Sequence, residues 1–227
     1  MIEAGGCTLR ELGSMRLFGY YRSSASFRIR IVLNLKGLSW DYETVRLNRG
    51  EQKSDEFTAL NPSGLVPVLD TGNAAISQSA AIAEYLEEQH PDPPLLPVTA
   101  LDRARIREMM AVIGSDVHPL QNLRVLTYLR DEFDAGDAAV TRWIHRWIGA
   151  GFNAYEALAE RHGASGPYSF GRAPTLADAW LVPQVYNAGR FGLDLTPWPR
   201  IAAINEHCLE QPAFAKAVPE RQPDAPA

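Results

Sequence analysis

The sequence predicts two parts of different fold class, an α/β part followed by an all-α part. Within residues 15–88, short strand-like segments alternate with segments whose apolar residues recur every three or four positions, as on one helix face. Residues 91–97 contain four prolines, through which no helix can continue. Helical periodicity then dominates from residue 100 onward. We therefore expect one domain over 15–96 and a second over 100–227, with 1–14 as a mobile N-terminal extension before a natural start at Met15.

The first elements of the α/β part follow from its apolar pattern. Residues 15–21 are predicted to form a strand, and Ile29 and Val32 begin one apolar face of a helix. Gly37 is a typical helix stop signal, and residues 40–47 alternate as a second strand should. The order is strand, helix, strand.

The rest of the α/β part predicts a hairpin and another helix. We expect a weak helix at 48–59, a turn at 61–64 and a strand at 65–70. A tight turn at 71–73, a strand at 74–76 and a helix at 80–88 should follow. Pro67 removes a backbone donor from its strand, so it belongs at a sheet edge or at a cis turn.

The all-α part is predicted to contain several helices. We expect them at 100–132, as one long segment, at 137–162, from Thr175 onward, at 198–209 and at 212–217. Thr175 and Asp178 have the spacing of a capping box, so we interpret Asp178 as a structural acid. Trp143 and Trp147 lie four positions apart and are expected in the core rather than in a ligand site.

Composition and charge argue against several classes of protein. The net charge is −5 and no basic cluster offsets it, which argues against a nucleic-acid partner. No apolar run approaches the ~18–20 residues that span a bilayer. The only cysteines, Cys7 and Cys208, lie far apart, so we expect no structural disulfide and a reducing cytoplasm. The five histidines lack zinc-ligand spacing, and no metal site is predicted.

Residues 22–31 are the most informative stretch of the chain. Arg22, Ser23 and Ser24 lie where the first predicted strand turns into the first predicted helix. The N–H groups at a helix start have no carbonyl partner within the helix, and they favour an anion. An anion or a thiolate would be stabilised there. A serine at this position can also serve only as a helix cap, and the motif alone leaves both roles open.

The run 22–31 resembles the signature of zeta-class glutathione transferases. Further matches to that family lie at 59–62, 65–67, 78–79, 118–126 and 194–197. Together they extend from about Met15 to Pro223. The resemblance implies the glutathione transferase architecture, with a thioredoxin-like glutathione-binding domain at 15–96 and a helical domain at 100–227 that completes the substrate site. It also implies a homodimer.

The same resemblance implies glutathione as the cofactor and assigns residues to it. Ser23 would donate a hydrogen bond to the glutathione thiolate, which lowers the pKa of the thiol. The backbone of Val66, joined to Pro67 by a cis bond, would pair with the cysteinyl unit. Ser79, with Gln78 beside it, would bind the γ-glutamyl carboxylate. The other positions that match glutathione contacts are Ser24, Ala25, Gln52, His118, Asn122 and Arg124.

The characterised members of this family are maleylacetoacetate and maleylpyruvate isomerases. Their maleyl substrates carry carboxylates, which guanidinium groups bind through paired hydrogen bonds. The arginines that align with proposed substrate ligands of the family are Arg22, Arg124 and Arg190. Leu123 stands where the maleylpyruvate branch can carry another arginine, which slightly favours maleylacetoacetate. We expect Arg28 and Arg30 on a helix flank instead, as structural ion-pair partners.

The implied activity is glutathione-dependent cis–trans isomerisation of a maleyl keto acid, maleylacetoacetate or maleylpyruvate, in aromatic catabolism. Ala25 departs from the family, which usually has cysteine or threonine there; alanine cannot donate a hydrogen bond to sulfur. If the residue at that position normally tunes the pKa of the glutathione thiol, Ser23 and Ser24 must do so here. These two serines are the predicted catalytic residues.

Two alternatives stay open at this stage. One is a glutathione transferase or dehalogenase acting on small electrophilic acids, since its first step would be the same thiolate attack. The other is a non-catalytic interaction protein with the same fold. The joint presence of Ser23, Ser24, Val66–Pro67 and Gln78–Ser79 argues against that second alternative.

Overall fold

The computed structural model describes residues 15–162 and 166–226; the expected extension at 1–14, with Cys7, lies outside them. Its strands are β1 Arg16–Gly19, β2 Asp41–Thr44, β3 Val68–Asp70 and β4 Ala75–Ser77. They form a sheet in the order β2-β1-β3-β4, in which β1 pairs parallel to β2 and β3 pairs antiparallel to both β1 and β4. The predicted strands are therefore confirmed; β1, β2 and β3 are shorter than their predicted segments, and β4 is shifted by one residue.

The helices of the α/β part are α1 Ser24–Leu35, α2 Asp55–Leu60 and α3 Ser79–Gln89. Gly37 follows α1 with φ +65°, a left-handed conformation in which glycine carries no Cβ penalty, so the predicted stop is confirmed. The weakly helical stretch at 48–59 resolves into two 3₁₀ turns, Leu47–Arg49 and Glu51–Lys53, followed by α2. The Val66–Pro67 bond is cis, as expected, and β3 begins directly after it.

The helical part begins at Ala100. Its helices are α4 Ala100–Ala111, α5 Leu123–Phe133, α6 Asp137–His162, α7 Leu176–Arg190, α8 Pro199–Glu210 and α9 Pro212–Ala215. The capping box at Thr175 and Asp178 is confirmed, and Asp178 also accepts a 2.7 Å hydrogen bond from Ser169 N. Burial raises the pKa of Asp178, whose fully buried carboxyl has a structural role. Trp143 and Trp147 pack edge to face with ring centroids 5.6 Å apart, and both are partly buried.

The prediction of one long helix over 100–132 is wrong. After α4 the chain passes through a π-helical segment, Val112–Val117, and a 3₁₀ turn, His118–Gln121, before α5 begins. Gly114 lies in the π-helical segment, and a Cβ there would lie 2.8 Å from Nε1 of Trp180 on α7. The chain thus passes close to α7 at a point where only glycine fits.

A continuous hydrophobic core joins the two parts. Leu17 of β1, Phe27 of α1 and Ile82 of α3 belong to the same buried cluster as Ile106 of α4 and Trp180 of α7. The proposed domain boundary between 96 and 100 stays a prediction, since the two sides share this core. Among the described residues, no helix is both long and apolar enough to span a membrane.

Candidate functional site

Two adjoining cavities bring the predicted site residues together. We call the larger one, about 870 Å³, the Ser23 cavity; Ser23, Ser24, Gln52, Arg22 and Arg190 line it. The smaller one, about 440 Å³, is the Ser79 cavity, lined by Ala25, Pro67, Gln78 and Ser79. The residues that line both are Leu65, Val66, His118, Asn122 and Arg124. Every residue predicted for the site therefore lines at least one of the cavities.

Ser23 has the helix-cap role that the sequence allowed, and its second role, toward an anion or thiolate, stays a prediction. It is the N-cap of α1, and its Oγ accepts a 3.2 Å hydrogen bond from Ser26 N. This bond uses an oxygen lone pair and leaves the hydroxyl proton free to be donated into the cavity. Ser24 follows as the first residue of α1, where backbone N–H groups lack helical acceptors and a partial positive charge develops.

The turn before β3 contributes Leu65 and Val66 to the lining of both cavities. Val66 precedes the cis bond to Pro67 and is only slightly exposed. Across the Ser23 cavity, Oε1 of Gln52 is buried without a hydrogen-bond partner among the described residues. The site therefore presents an unused acceptor to a ligand's N–H or O–H group.

Helix α3 starts one residue before the predicted segment 80–88. Gln78 is its N-cap, and it has φ 71°, a left-handed conformation that is uncommon outside glycine. Ser79 is the first helical residue, and its Oγ accepts a 3.3 Å hydrogen bond from Nη1 of Arg28. A serine at the start of α3 is thus confirmed, but its hydroxyl faces a guanidinium rather than its own helix end.

Arg28 and Arg30 contradict the expectation of ion-pair partners on a helix flank. Both side chains are buried. Arg30 donates to Ala217 O at 3.0 Å and to Tyr21 O at 2.9 Å, so it ties the turn before Ser23 to the C-terminal segment. The flank interpretation fails because α1 is covered by α3, α7 and α9, which leaves it no solvent-exposed side here.

His118 lies where the two cavities meet, and its Nδ1 is buried without a partner among the described residues. Burial and, secondarily, the charge of Arg28 lower the pKa of His118 to about 3. The imidazole is therefore neutral at physiological pH and offers the site a hydrogen bond rather than a charge. Asn122 beside it caps α5 by accepting a 3.2 Å bond from Arg124 N.

Cations line one side of the Ser23 cavity. Arg190 donates a 3.2 Å hydrogen bond to Oδ1 of Asn187, and burial together with the neighbouring charge of Arg22 lowers the pKa of Arg190. Arg22 and Arg124 are exposed at the same cavity. Leu123, which is 55 % exposed, lines it too. A ligand carboxylate would meet several guanidinium groups here.

Ala25 lines the Ser79 cavity rather than the Ser23 cavity. Its methyl group adds no hydrogen-bond donor, whereas Ser23 and Ser24 line the Ser23 cavity with hydroxyl groups. Cys208 is buried in α8, and burial raises the pKa of its thiol, which makes it a poor nucleophile.

Sequence reasoning missed several residues that line the Ser79 cavity, among them Arg28, Trp180 and Gly114. A signal for Arg28 was present, since it lies three positions after Ala25 and hence on the same helix face. Trp180 and Gly114 gave no such signal, because they meet only in the tertiary structure.

Comparison with known proteins agrees with this geometry. Residues 22–89 match the family model of the glutathione S-transferase N-terminal domain. A maleylpyruvate isomerase from Ralstonia sp. is 51 % identical over 93 % of this chain and 100 % of its own length. A holo structure of maleyl pyruvate isomerase, described as a bacterial zeta-class glutathione transferase, has a TM-score of 0.91 at 51 % identity, covering 93 % of this chain and 100 % of that one. A maleylacetoacetate isomerase from Anaeromyxobacter dehalogenans with bound glutathione has a TM-score of 0.84 at 42 % identity, covering 94 % and 98 %.

Proposed function

The chain belongs to the zeta class of glutathione transferases, and we propose that it is a glutathione-dependent isomerase that converts a maleyl keto acid to its fumaryl isomer. The observation that carries the proposal is the shared cavity of Ser23, Arg22 and Arg190. It places a free hydroxyl proton and two guanidinium groups around one space, as a thiol-dependent reaction of an acid requires. The partner molecules are thus glutathione and a maleyl keto acid, maleylacetoacetate or maleylpyruvate.

The residues present fit glutathione as the cofactor. Three buried polar groups line the cavities: Oε1 of Gln52, Nδ1 of His118 and the guanidinium of Arg28. The first two have no hydrogen-bond partner among the described residues, and the guanidinium has one, Ser79. Such groups are costly unless a ligand pairs with them. Glutathione, a peptide with amide groups and carboxylates, supplies complementary donors and acceptors.

When bound, glutathione supplies a thiolate that can add reversibly to the maleyl double bond, so that rotation becomes possible before elimination. Ser23 donates its free hydroxyl proton toward the sulfur position, and the start of α1 adds partial positive charge. Ser24 contributes its backbone N–H at the same helix start. Together these residues lower the pKa of a thiol held there.

The arginines of the Ser23 cavity hold the substrate. Arg22, Arg190 and Arg124 pair with its carboxylates and offset the negative charge that develops on the keto side. Arg190 is preoriented for this by its bond to Asn187. The neutral His118 adds hydrogen bonding without a competing charge.

The direct test is to incubate the purified protein with maleylacetoacetate or maleylpyruvate, with and without glutathione, and to follow the product by absorbance and NMR. We expect the trans isomer to form only with glutathione, which is recovered unchanged. Net consumption of glutathione, with a conjugate accumulating, would favour the transferase or dehalogenase alternative. The ratio of kcat/KM for the two acids identifies the preferred substrate.

A second test separates the acid site from the thiol site. Arg22→Met and Arg190→Met should each raise the KM for the maleyl acid by about 10–150-fold, the equivalent of ~1.5–3 kcal/mol for one charged hydrogen bond. Conjugation of glutathione to a neutral chloronitrobenzene should hardly change in the same variants. Unchanged KM values in both variants would contradict the proposed substrate site.

For the assembly we propose a cytoplasmic homodimer, in line with the family resemblance. Light scattering after size-exclusion chromatography measures the mass in solution. A mass equal to that of one chain, 25.1 kDa, would contradict the dimer.

A further inference from the structure

Arg28 is a buried cation for which the described residues provide no anionic partner. Its side chain lines the Ser79 cavity and the residue is 2 % exposed. Nη1 donates to Ser79 Oγ at 3.3 Å, while Nε and Nη2 have no hydrogen-bond partner among the described residues. Burial lowers the pKa of Arg28 to about 9, so the guanidinium still carries its charge at neutral pH.

The groups around Arg28 leave its charge uncompensated. The guanidinium lies 5.1 Å from the ring centroid of Trp180, a cation–π contact that holds its orientation without neutralising it. Of the titratable groups that line the same cavity, His118 is neutral, Arg124 is a cation and Glu84 is already engaged by Arg107 through bonds of 2.6 and 2.7 Å. An unpaired buried charge is strongly unfavourable, so the cavity is built for an anion that arrives from outside.

The direction of the bond between Arg28 and Ser79 defines what that anion meets. A guanidinium can only donate, so Ser79 Oγ is the acceptor and the hydroxyl proton is free to be donated elsewhere. Ser79 is also the first residue of α3, a helix of 11 residues whose first N–H groups lack helical acceptors. A carboxylate at this point would receive hydrogen bonds from Ser79 and from Nη2 of Arg28, which is buried and has no partner among the described residues.

We infer that Arg28 binds the α-carboxylate of the γ-glutamyl group of glutathione, as its principal cation, together with Ser79. This inference rests on the proposed function, from which it takes the identity of the ligand. The cations of the site then have separate roles, since Arg28 in the Ser79 cavity binds the cofactor, whereas Arg22 and Arg190 in the Ser23 cavity bind the substrate.

Titration calorimetry with ligands that differ by single carboxylates tests the inference. The first ligand is glutathione itself. The second, γ-aminobutyryl-cysteinyl-glycine, keeps the amino group and lacks only the γ-glutamyl α-carboxylate. The third, glutathione amide, lacks only the glycyl carboxylate. We expect Arg28→Met to weaken glutathione and glutathione amide by about 10–150-fold, the range for lost charged hydrogen bonds. The Kd of γ-aminobutyryl-cysteinyl-glycine should change by less than about threefold, since it lacks the group that Arg28 binds.

Arg105→Met is the matched control. Arg105 lines neither cavity, and its guanidinium is bonded to Asp102 at 3.1 Å, so all three Kd values should stay within about threefold. Arg28→Gln repeats the test with a polar side chain, should the methionine variant fail to melt cooperatively. An equal loss for all three ligands, or no loss for glutathione, would overturn the inference, and so would a loss that spares glutathione amide.

Failure of the inference and failure of the proposed function are distinguishable. The calorimetry depends only on ligand binding, whereas isomerisation is measured separately on the unaltered protein with each maleyl acid. A protein that binds glutathione through Arg28 but isomerises neither acid would refute the proposed function alone. A competent isomerase with the wrong ligand selectivity in Arg28→Met would refute the inference alone.

Discussion

Ser23→Ala should damage both stability and catalysis, and the structure allows the two effects to be separated. The substitution removes the N-cap bond of 3.2 Å to Ser26 N, which should cost about 1 kcal/mol of the free energy of unfolding. It also removes the free hydroxyl proton that we assign to the thiolate. A hydrogen bond to a charged group contributes about 1.5–3 kcal/mol, so the pKa of the bound thiol should rise by about 1–2.

The assay follows kcat/KM for the maleyl acid from pH 5.5 to 9.5, together with the ultraviolet absorbance of the bound thiolate. The variant should be slower by about 10–150-fold at neutral pH. Because a thiol loses its proton as the pH rises, the rate profile of the variant should move to higher pH, and the deficit should shrink above its new pKa. Glutathione affinity should change little, since the hydroxyl acts on the sulfur alone.

Ser54→Ala controls for the loss of a helix cap. Ser54 caps α2 through a bond of the same length, 3.2 Å from Phe57 N to Ser54 Oγ, and it lines neither cavity. This variant should also lose about 1 kcal/mol of stability, but its pH profile should match that of the unaltered protein. The assignment of Ser23 is refuted if its variant keeps the parent's thiol pKa, or if both variants shift the profile equally.

Three further predictions concern the surroundings of the site. Gly114→Ala should lower the free energy of unfolding in urea by about 1–3 kcal/mol, because the new methyl would lie 2.8 Å from Trp180 Nε1. Gly149→Ala is the control and should not be destabilising, since its Cβ would meet nothing nearer than 3.8 Å. Ala25→Cys should keep isomerase activity and become sensitive to iodoacetamide, and an inactive parent restored by the cysteine would contradict our assignment of the thiol to serine. The free energy of unfolding should fall as the pH drops from about 6.5 toward 3. The reason is that His118 becomes protonated in the unfolded chain, whereas in the folded protein its pKa is about 3. Urea titrations of His118→Gln should show a weaker dependence on pH.

The sequence predicted best those elements whose signals are local. Helix α6 lies at the predicted residues 137–162, and Ser23 caps α1 as a strand-to-helix turn with a hydroxyl suggests. The close approach of Gly114 to the indole of Trp180 was missed because the two residues lie far apart in the chain. Gln78 at the cap of α3 was missed for a similar reason, since local preference does not favour φ 71° for glutamine.

Arg28 and Arg30 are where sequence reasoning failed and where the failure is informative. Two arginines in the middle of an apolar helix pattern indicate a solvated flank, as long as one side of the helix faces water. Helix α1 has no such side here, and the partners of its arginines lie 51 and 187 positions away, at Ser79 and Ala217. Arg30 donates from Nε and Nη2 to two backbone carbonyls, and only its Nη1 lacks a partner among the described residues. Arg28 finds one hydroxyl and one indole face, which leave its charge uncompensated, and a ligand carboxylate in the Ser79 cavity would supply the missing partner.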